Sequence, residues 1–307
     1  MQEVIYLRSY MSLEVKISEF FKYFTEVYGE ARWALLYSRL CQVDEKVARL
    51  NPYLKVEYQN QEITQFFNQQ YMNEVSARDL LKDKLDQNQF YFLDLASMLP
   101  PIALAPLPSE LCLDMCAAPG GKSLILASLM APNEEAEIEL VANELSQERR
   151  SRLIRVLKEQ LPDKLFRQIK ITAHDASKWC LYQKDHYDKI LIDVPCSGER
   201  YFILDAKEVL NWSKKRSQNM AIRQFSILAS AFETLKPGGA GVYSTCSISP
   251  FENDEVIRKL LKKRSGRVEL SKLSFPIGEA TEFGWQVLPD RCSGFGPIYF
   301  SKFQRLS

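Results

Sequence analysis

From Phe90 to Phe303 short apolar runs alternate with amphipathic stretches, an alternation that few architectures can accommodate. Leu111–Met115 is a strand-length run ending in Cys116-Ala117-Ala118-Pro119-Gly120-Gly121, and Lys122–Met130 then reads as a helix. Glu137–Ala142 is a second strand, ending at Asn143-Glu144. Ser146–Gln160 follows as a helix with a serine cap and Glu148 in its first turn. Ile169–Thr172 ends near His174-Asp175, and Lys189–Ile192 ends at Asp193. Ala221, Phe225, Leu228, Phe232 and Leu235 lie along one helix face, which Lys236-Pro237-Gly238-Gly239 terminates. Ala240–Ser244 is a fifth strand, Phe251–Lys263 a helix, and Trp285–Leu288 and Pro297–Phe303 closing strands. This order predicts an α/β domain with a mostly parallel sheet, helices on both faces, and ligands at the carboxyl ends of the strands.

Residues 1–94 lack that punctuation and read as a helical N-terminal subdomain ahead of a 95–307 unit. Phe20, Phe21, Phe24, Val27 and Tyr28 recur at helical spacing, Trp33, Leu35, Leu36 and Leu40 follow, and Asn51-Pro52 breaks the pattern. Glu74–Asp86 reads as a further helix. Met1–Phe20 carries Glu3, Glu14 and Glu19 and no apolar core, which argues against a transit or signal peptide. No apolar run reaches the roughly 20 residues of a membrane span.

The net charge is +1, so bulk electrostatics announces no nucleic-acid partner. Seven scattered cysteines in a chain of 307 residues read as reduced thiols rather than a disulfide framework. With two histidines and no Cys-x-x-Cys pair, no metal site is expected. Two thiols remain conspicuous: Cys196 in Asp193-Val194-Pro195-Cys196-Ser197-Gly198, and Cys246 in Tyr243-Ser244-Thr245-Cys246-Ser247. Each follows a predicted strand, so the pair is expected to face one crevice. Disulfide, metal and covalent chemistry are the functional alternatives, and two buried core thiols the plain one.

The glycine-rich turn after the first strand lets backbone N–H groups approach a polar ligand. A phosphate-loop motif needs glycine five positions before Gly121, where Cys116 stands, and no Gly-x-Gly-x-x-Gly occurs there. Glu144 at the second strand end can accept two ribose hydroxyls, and Asp175 after the third can accept from an adenine amino group. Together they suit S-adenosylmethionine. A solvated loop acid and a helix cap are the plainer alternatives for these two residues.

Pyrimidine carbon 5 is a poor nucleophile until a thiolate adds at carbon 6. That route needs a nucleophilic cysteine, a hydrogen-bonding group for the ring nitrogen and a base for the carbon 5 proton, all residue types found around Asp193, Cys196 and Cys246. Leu113-Asp114-Met115-Cys116-Ala117-Ala118-Pro119-Gly120-Gly121-Lys122-Ser123 closely resembles the first motif of the Sun-type RNA cytosine-5 methyltransferases. Asp193-Val194-Pro195-Cys196-Ser197 resembles their fourth motif. Tyr243-Ser244-Thr245-Cys246-Ser247, with Glu252-Asn253 after it, resembles their sixth. The likeness covers about Phe90 to Phe303 and is greatest to the compact mitochondrial-type members and bacterial relatives.

The resemblance implies a Rossmann-like S-adenosylmethionine-dependent methyltransferase fold. It implies Cys246 as nucleophile, Cys196 in release of the methylated base, Asp193 against the cytosine, and Lys122 near the reacting groups. It implies cofactor contacts from Cys116, Ala117, Ala118, Pro119, Gly120, Gly121, Lys122, Glu144, Arg149, Asp175 and Asp193. The substrate would be structured RNA, ribosomal or transfer, with a protein partner as a possible aid, in the cytoplasm or alternatively the mitochondrial matrix. DNA cytosine-5 methyltransferases place their nucleophile in a Pro-Cys motif, so the additional Thr245-Cys246 points to RNA. A non-catalytic ribosome-assembly adaptor is the alternative of another class, and two intact thiol motifs weigh against it. Backbone contacts to RNA are sought at Arg200, at Lys214, Lys215 and Arg216, at Arg150, Arg152, Arg155 and Lys158, and at Lys262, Lys263, Arg264 and Arg267.

Overall fold

The computed structural model describes residues 18–54, 62–82, 87–204 and 212–306. The expectation for the leader before residue 18, and the end of the expected helix at 83–86, lie outside these residues.

The parallel core consists of β5 (Leu111–Asp114), β6 (Glu139–Asn143), β7 (Lys170–Thr172), β8 (Tyr187–Asp193) and β9 (Leu235–Thr245), in the spatial order β9-β8-β5-β6-β7. The chain runs outward one way from β5 through β6 to β7, then returns to the other side of β5 to lay down β8 and β9. The reversal opens a crevice at the carboxyl ends of β5 and β8. β13 (Ile298–Arg305) pairs antiparallel with β9 and carries β12 (Trp285–Val287) and β11 (Glu279–Ala280) beyond it, while β10 (Val268–Leu270) also pairs with β13.

Strand residues alternate between two cores, as a sheet covered on both faces requires. Cys112, Leu140, Ala142, Leu191 and Val242 face a core with Leu124, Ile125 and Leu153. Leu113, Val141, Ile190, Ile192 and Tyr243 face the other, with Ile227, Leu228, Ala231 and Phe232. The expected helices are present: Gly121–Met130, Gln147–Gln160, Lys214–Thr234 and Asp254–Lys263. No helix among the described residues is long and apolar enough to cross a membrane.

The N-terminal part holds helices at 18–28 and Glu30–Leu40. It also holds something the sequence reading leaves out, a four-stranded antiparallel sheet. Its order is β2 (Thr64–Phe66), β3 (Gln69–Asn73), β1 (Val47–Leu50), β4 (Phe90–Leu93). Buried Arg49 donates to Gln69 Oε1 at 2.7 Å and to Ser128 Oγ at 3.0 Å, tying this sheet to the Gly121–Met130 helix. The two N-terminal helices bring Phe20, Phe24, Trp33, Leu36 and Leu40 against Phe202, Trp212, Ile248 and Leu288, so they pack beside the loop that follows β9.

Candidate functional site

Two groups of residues meet at the crevice. On the β5–β6 side, Asp114 ends its strand fully buried, and Ser123 Oγ donates to its Oδ2 at 2.6 Å. Burial, the largest influence, pushes this carboxyl up to about 7. The following loop is pinned by Met115 N to Leu191 O at 2.9 Å and Ala117 N to Asn143 O at 2.8 Å. Gly120, at φ 119°, turns the chain into the next helix, and a Cβ at Gly121 would lie 2.8 Å from Tyr91 Cε1. Both glycines therefore answer to the turn and to packing.

A cavity of about 340 Å³ lies beyond, bounded by Cys116, Glu144, Arg149, Asp175, Pro195 and Arg223 among others. Glu144 is buried; its Oε1 accepts from Ser146 N at 2.9 Å. Its Oε2 has no hydrogen-bond partner, although Arg149 Nη1 stands 3.4 Å away. A buried carboxylate oxygen with a cation nearby but no hydrogen bond can still accept one, so this wall is suited to a ligand bearing hydroxyl donors. Asp175 both caps the 3₁₀ turn Ala176–Leu181, through Ser177 N at 3.0 Å, and lines the cavity. Ser177 is also the main reason its carboxyl sits below the ordinary range. Of Cys116–Gly121 only Cys116 lines the cavity, and burial pushes its thiol well up, which keeps it neutral. Arg149 Nη2 donates to Ala118 O at 2.8 Å and shapes the loop from outside.

On the β8–β9 side, Asp193 lies opposite Ser244 in register. Asp193 accepts from Ser244 Oγ at 2.7 Å and pairs with Lys122 Nζ at 2.9 Å, linking the two groups of residues. Three residues after Asp193 comes Cys196, and directly after β9 comes Cys246. Their sulfurs are joined as a disulfide, with Cα atoms 6.3 Å apart. This corrects the expectation of seven separate thiols: five are free. The physical reason is that neighbouring parallel strands deliver both loops to one point. Cys246 is exposed and Cys196 half-buried. Cys246 also borders a smaller cavity of about 140 Å³ with Asp94, Gly198, Arg200 and Tyr201. Cys112, by contrast, is a core residue of β5.

Several basic candidates are otherwise engaged. Arg200 is nearly buried, donates to Gly296 O and Gln42 O, and pairs with Asp44. Arg264 and Arg267 pair with Glu233, just before β9 begins, at the end of the sheet opposite the thiols. Arg152 pairs with Glu148 on its own helix. Lys214 lies over the Tyr23 and Phe251 rings. Sequence reading missed Asn143, whose amide bridges Met115 O and His174 O at 3.0 Å each and so fixes two walls of the cavity. It also missed Arg223 and Gln224, which a search for polar residues on the crevice side of the Lys214–Thr234 helix would have found.

Residues 101–304 match the family model described as 16S rRNA methyltransferase RsmB/F. Among curated relatives, the 5-cytosine rRNA methyltransferase NSUN4 of Bos taurus is 34% identical over 235 residues, covering 71% of this chain and 60% of the relative. The mitochondrial tRNA (cytosine(34)-C(5))-methyltransferase of Danio rerio is 33% identical, covering 71% of this chain and 61% of the relative. The chain thus spans about 60% of the length of these curated relatives. The solved structure of NSun6 from Pyrococcus horikoshii shares the fold, with a TM-score of 0.76 at 17% identity over 94% of this chain and 98% of that one.

Proposed function

The chain belongs to the RsmB/F methyltransferase family, and from that premise we propose that it methylates carbon 5 of a cytosine in structured RNA, using S-adenosylmethionine and a covalent cysteine adduct. The observation that carries the reading is the meeting of an exposed Cys246 with Cys196 beside the Asp193–Lys122 pair. The division into 1–94 and 95–307 belongs to the same proposal, with the methyl-transfer groups all in the second part.

Glu144 would hold the ribose hydroxyls through Oε2, which accepts no hydrogen bond, and Asp175, Cys116 and Pro195 would bound the rest of the nucleoside. S-adenosylmethionine supplies an electrophilic methyl on a sulfonium. Cys246, reduced to its thiolate, adds to carbon 6 of the cytosine, and the new S–C bond pushes electron density onto carbon 5. Asp193, held by Lys122 and Ser244, accepts from the exocyclic amino group and fixes the ring over Cys246, while the Lys122 ammonium stands beside the density that develops. After carbon 5 is methylated, Cys196 takes its remaining proton, the S–C6 bond breaks, and Cys246 leaves as thiolate. The disulfide must be reduced before any of this, which favours a reducing compartment. The cytoplasm and the mitochondrial matrix both supply one, and the relative named as mitochondrial favours the mitochondrial alternative. The small net charge argues that RNA structure or a protein partner supplements the basic residues.

Incubation of the reduced protein with labelled S-adenosylmethionine and RNA from cells lacking it should give label in 5-methylcytosine. Label in DNA alone, or none despite cofactor binding, would sink the proposal. Glu144→Ala should weaken cofactor binding by about 10–100-fold, the loss of about 1.5–3 kcal/mol of charged hydrogen bonding. Calorimetric titration checks this, and an unchanged affinity would remove Glu144 from the site.

A further inference from the structure

Two carboxyl groups under the thiol loops play no part in the chemistry above. Glu199 and Glu252 both have fully buried side chains. Ser197 Oγ makes hydrogen-bond contact with an Oε1 of each. Ser247 Oγ donates to the same Glu199 oxygen at 3.1 Å. The other Glu199 oxygen accepts from Ile248 N at 3.0 Å, and the other Glu252 oxygen from Ser197 N at 2.9 Å and Gln224 Nε2 at 2.8 Å. Gln224 also donates to Pro195 O at 2.9 Å. The residues following both cysteines, Ser197 and Ser247, are therefore fastened through one buried cluster.

The hydrogens in that cluster can be counted. The Ser197 hydroxyl has one, yet it touches two carboxyl oxygens. It can donate to one of them, and a proton on the other lets that carboxyl donate back to the hydroxyl oxygen. The surrounding elements offer neutral donors. Tyr28 gives its hydroxyl to Ile248 O at 2.6 Å, Tyr243 gives its own to Glu252 O at 2.6 Å, and Tyr23 bonds with Ser249 Oγ at 3.3 Å. Burial, above all, pushes Tyr23 up to about 12 and Tyr28 and Tyr243 well above their ordinary value. On this side the cation Lys214 lies over the outer rings of Tyr23 and Phe251.

We propose that Glu199 and Glu252 share one proton, and that this carboxyl–carboxylate pair is a positioning element that holds the Cys196 and Cys246 loops together. The catalytic consequence rests on the thiol reading above; the shared proton does not. Burial first, then the charge of Glu252, holds Glu199 up to about 7, and burial raises Glu252 as well. A carboxyl raised in the folded state stabilises the fold fully below its unfolded value of about 4.3, and this contribution is lost as pH rises through the folded value. Loss of the proton leaves two carboxylates at one hydroxyl, and their repulsion parts the loops.

The test compares Glu199→Gln and Glu252→Gln with the wild type between pH 6 and 9. An amide offers N–H donors at every pH and so imitates the protonated acid. Wild-type melting temperature should fall above pH about 7, and turnover, normalised to its own value at pH 6.5, should decline towards about tenfold per pH unit. At least one amide variant should lose the decline in turnover and lessen that in melting, of which buried Asp114, also raised to about 7, keeps a share, whereas Glu252→Ala should keep turnover low at every pH with the KM for RNA unchanged. Both declines persisting undiminished in both amide variants would overturn the proposal. Should the variants fail to fold, ¹³C-carboxyl NMR of wild-type protein labelled at glutamate decides. A glutamate titrating near 7 is expected, and none above pH 6 would end the idea. Melting and NMR need no turnover, so a failure of the methyltransferase reading leaves them separately readable.

Discussion

Cys246→Ala is expected to lower methyl transfer by about 10⁴-fold or more, the scale on which removing a covalent nucleophile acts. It is the exposed member of the thiol pair, standing directly after β9. In the reduced protein the fold should be unaffected, because the side chain fills no core. Single-turnover transfer to RNA and capture on 5-fluorocytosine RNA measure the effect. The wild type should form an adduct that survives denaturant, and the variant none. Turnover within tenfold of wild type would move the nucleophile elsewhere, with Cys196 and the DNA-type arrangement the first alternative to examine.

Cys196→Ala should give the opposite signature. With addition intact and proton removal from carbon 5 impaired, turnover should fall by about 10²–10⁴-fold, the usual worth of a general base. A covalent complex with ordinary RNA should accumulate once S-adenosylmethionine is present. The wild-type complex should be transient under the same conditions. Absence of any adduct together with near-normal turnover would show that another group takes the proton. Asp193 cannot be freed for that role without breaking its bonds to Lys122 and Ser244.

The parallel core was legible because each of its strands is a short apolar run flanked by loop residues. The N-terminal sheet was not, and the reasons are local. β3 is Gln-Gln-Tyr-Met-Asn, and β1 carries an arginine that is buried only because Gln69 and Ser128 receive it. The β2–β3 turn uses Phe67 at φ 55°, without the Asn-Gly or Asp-Gly pair that announces a two-residue hairpin. In the site, Asp193, Cys196 and Cys246 could be read because they sit at strand ends within recognisable motifs. Glu199 could not: an acid in the first turn of a helix ordinarily faces water, and only the folded chain brings Glu252 and two serines to it. Gly120 and Gly121 also answer to the turn and to Tyr91, demands that stand beside the ligand approach expected of this loop.

The bond between Cys196 and Cys246 also turns the competent fraction of a preparation into something countable. Seven cysteines are encoded and five stand free. A thiol titration of the unfolded chain without reductant therefore returns a number between those two limits, and under the proposed mechanism its excess over five is twice the share of molecules able to start a cycle. Rates divided by total protein would confuse storage history with chemistry; rates divided by that share would not.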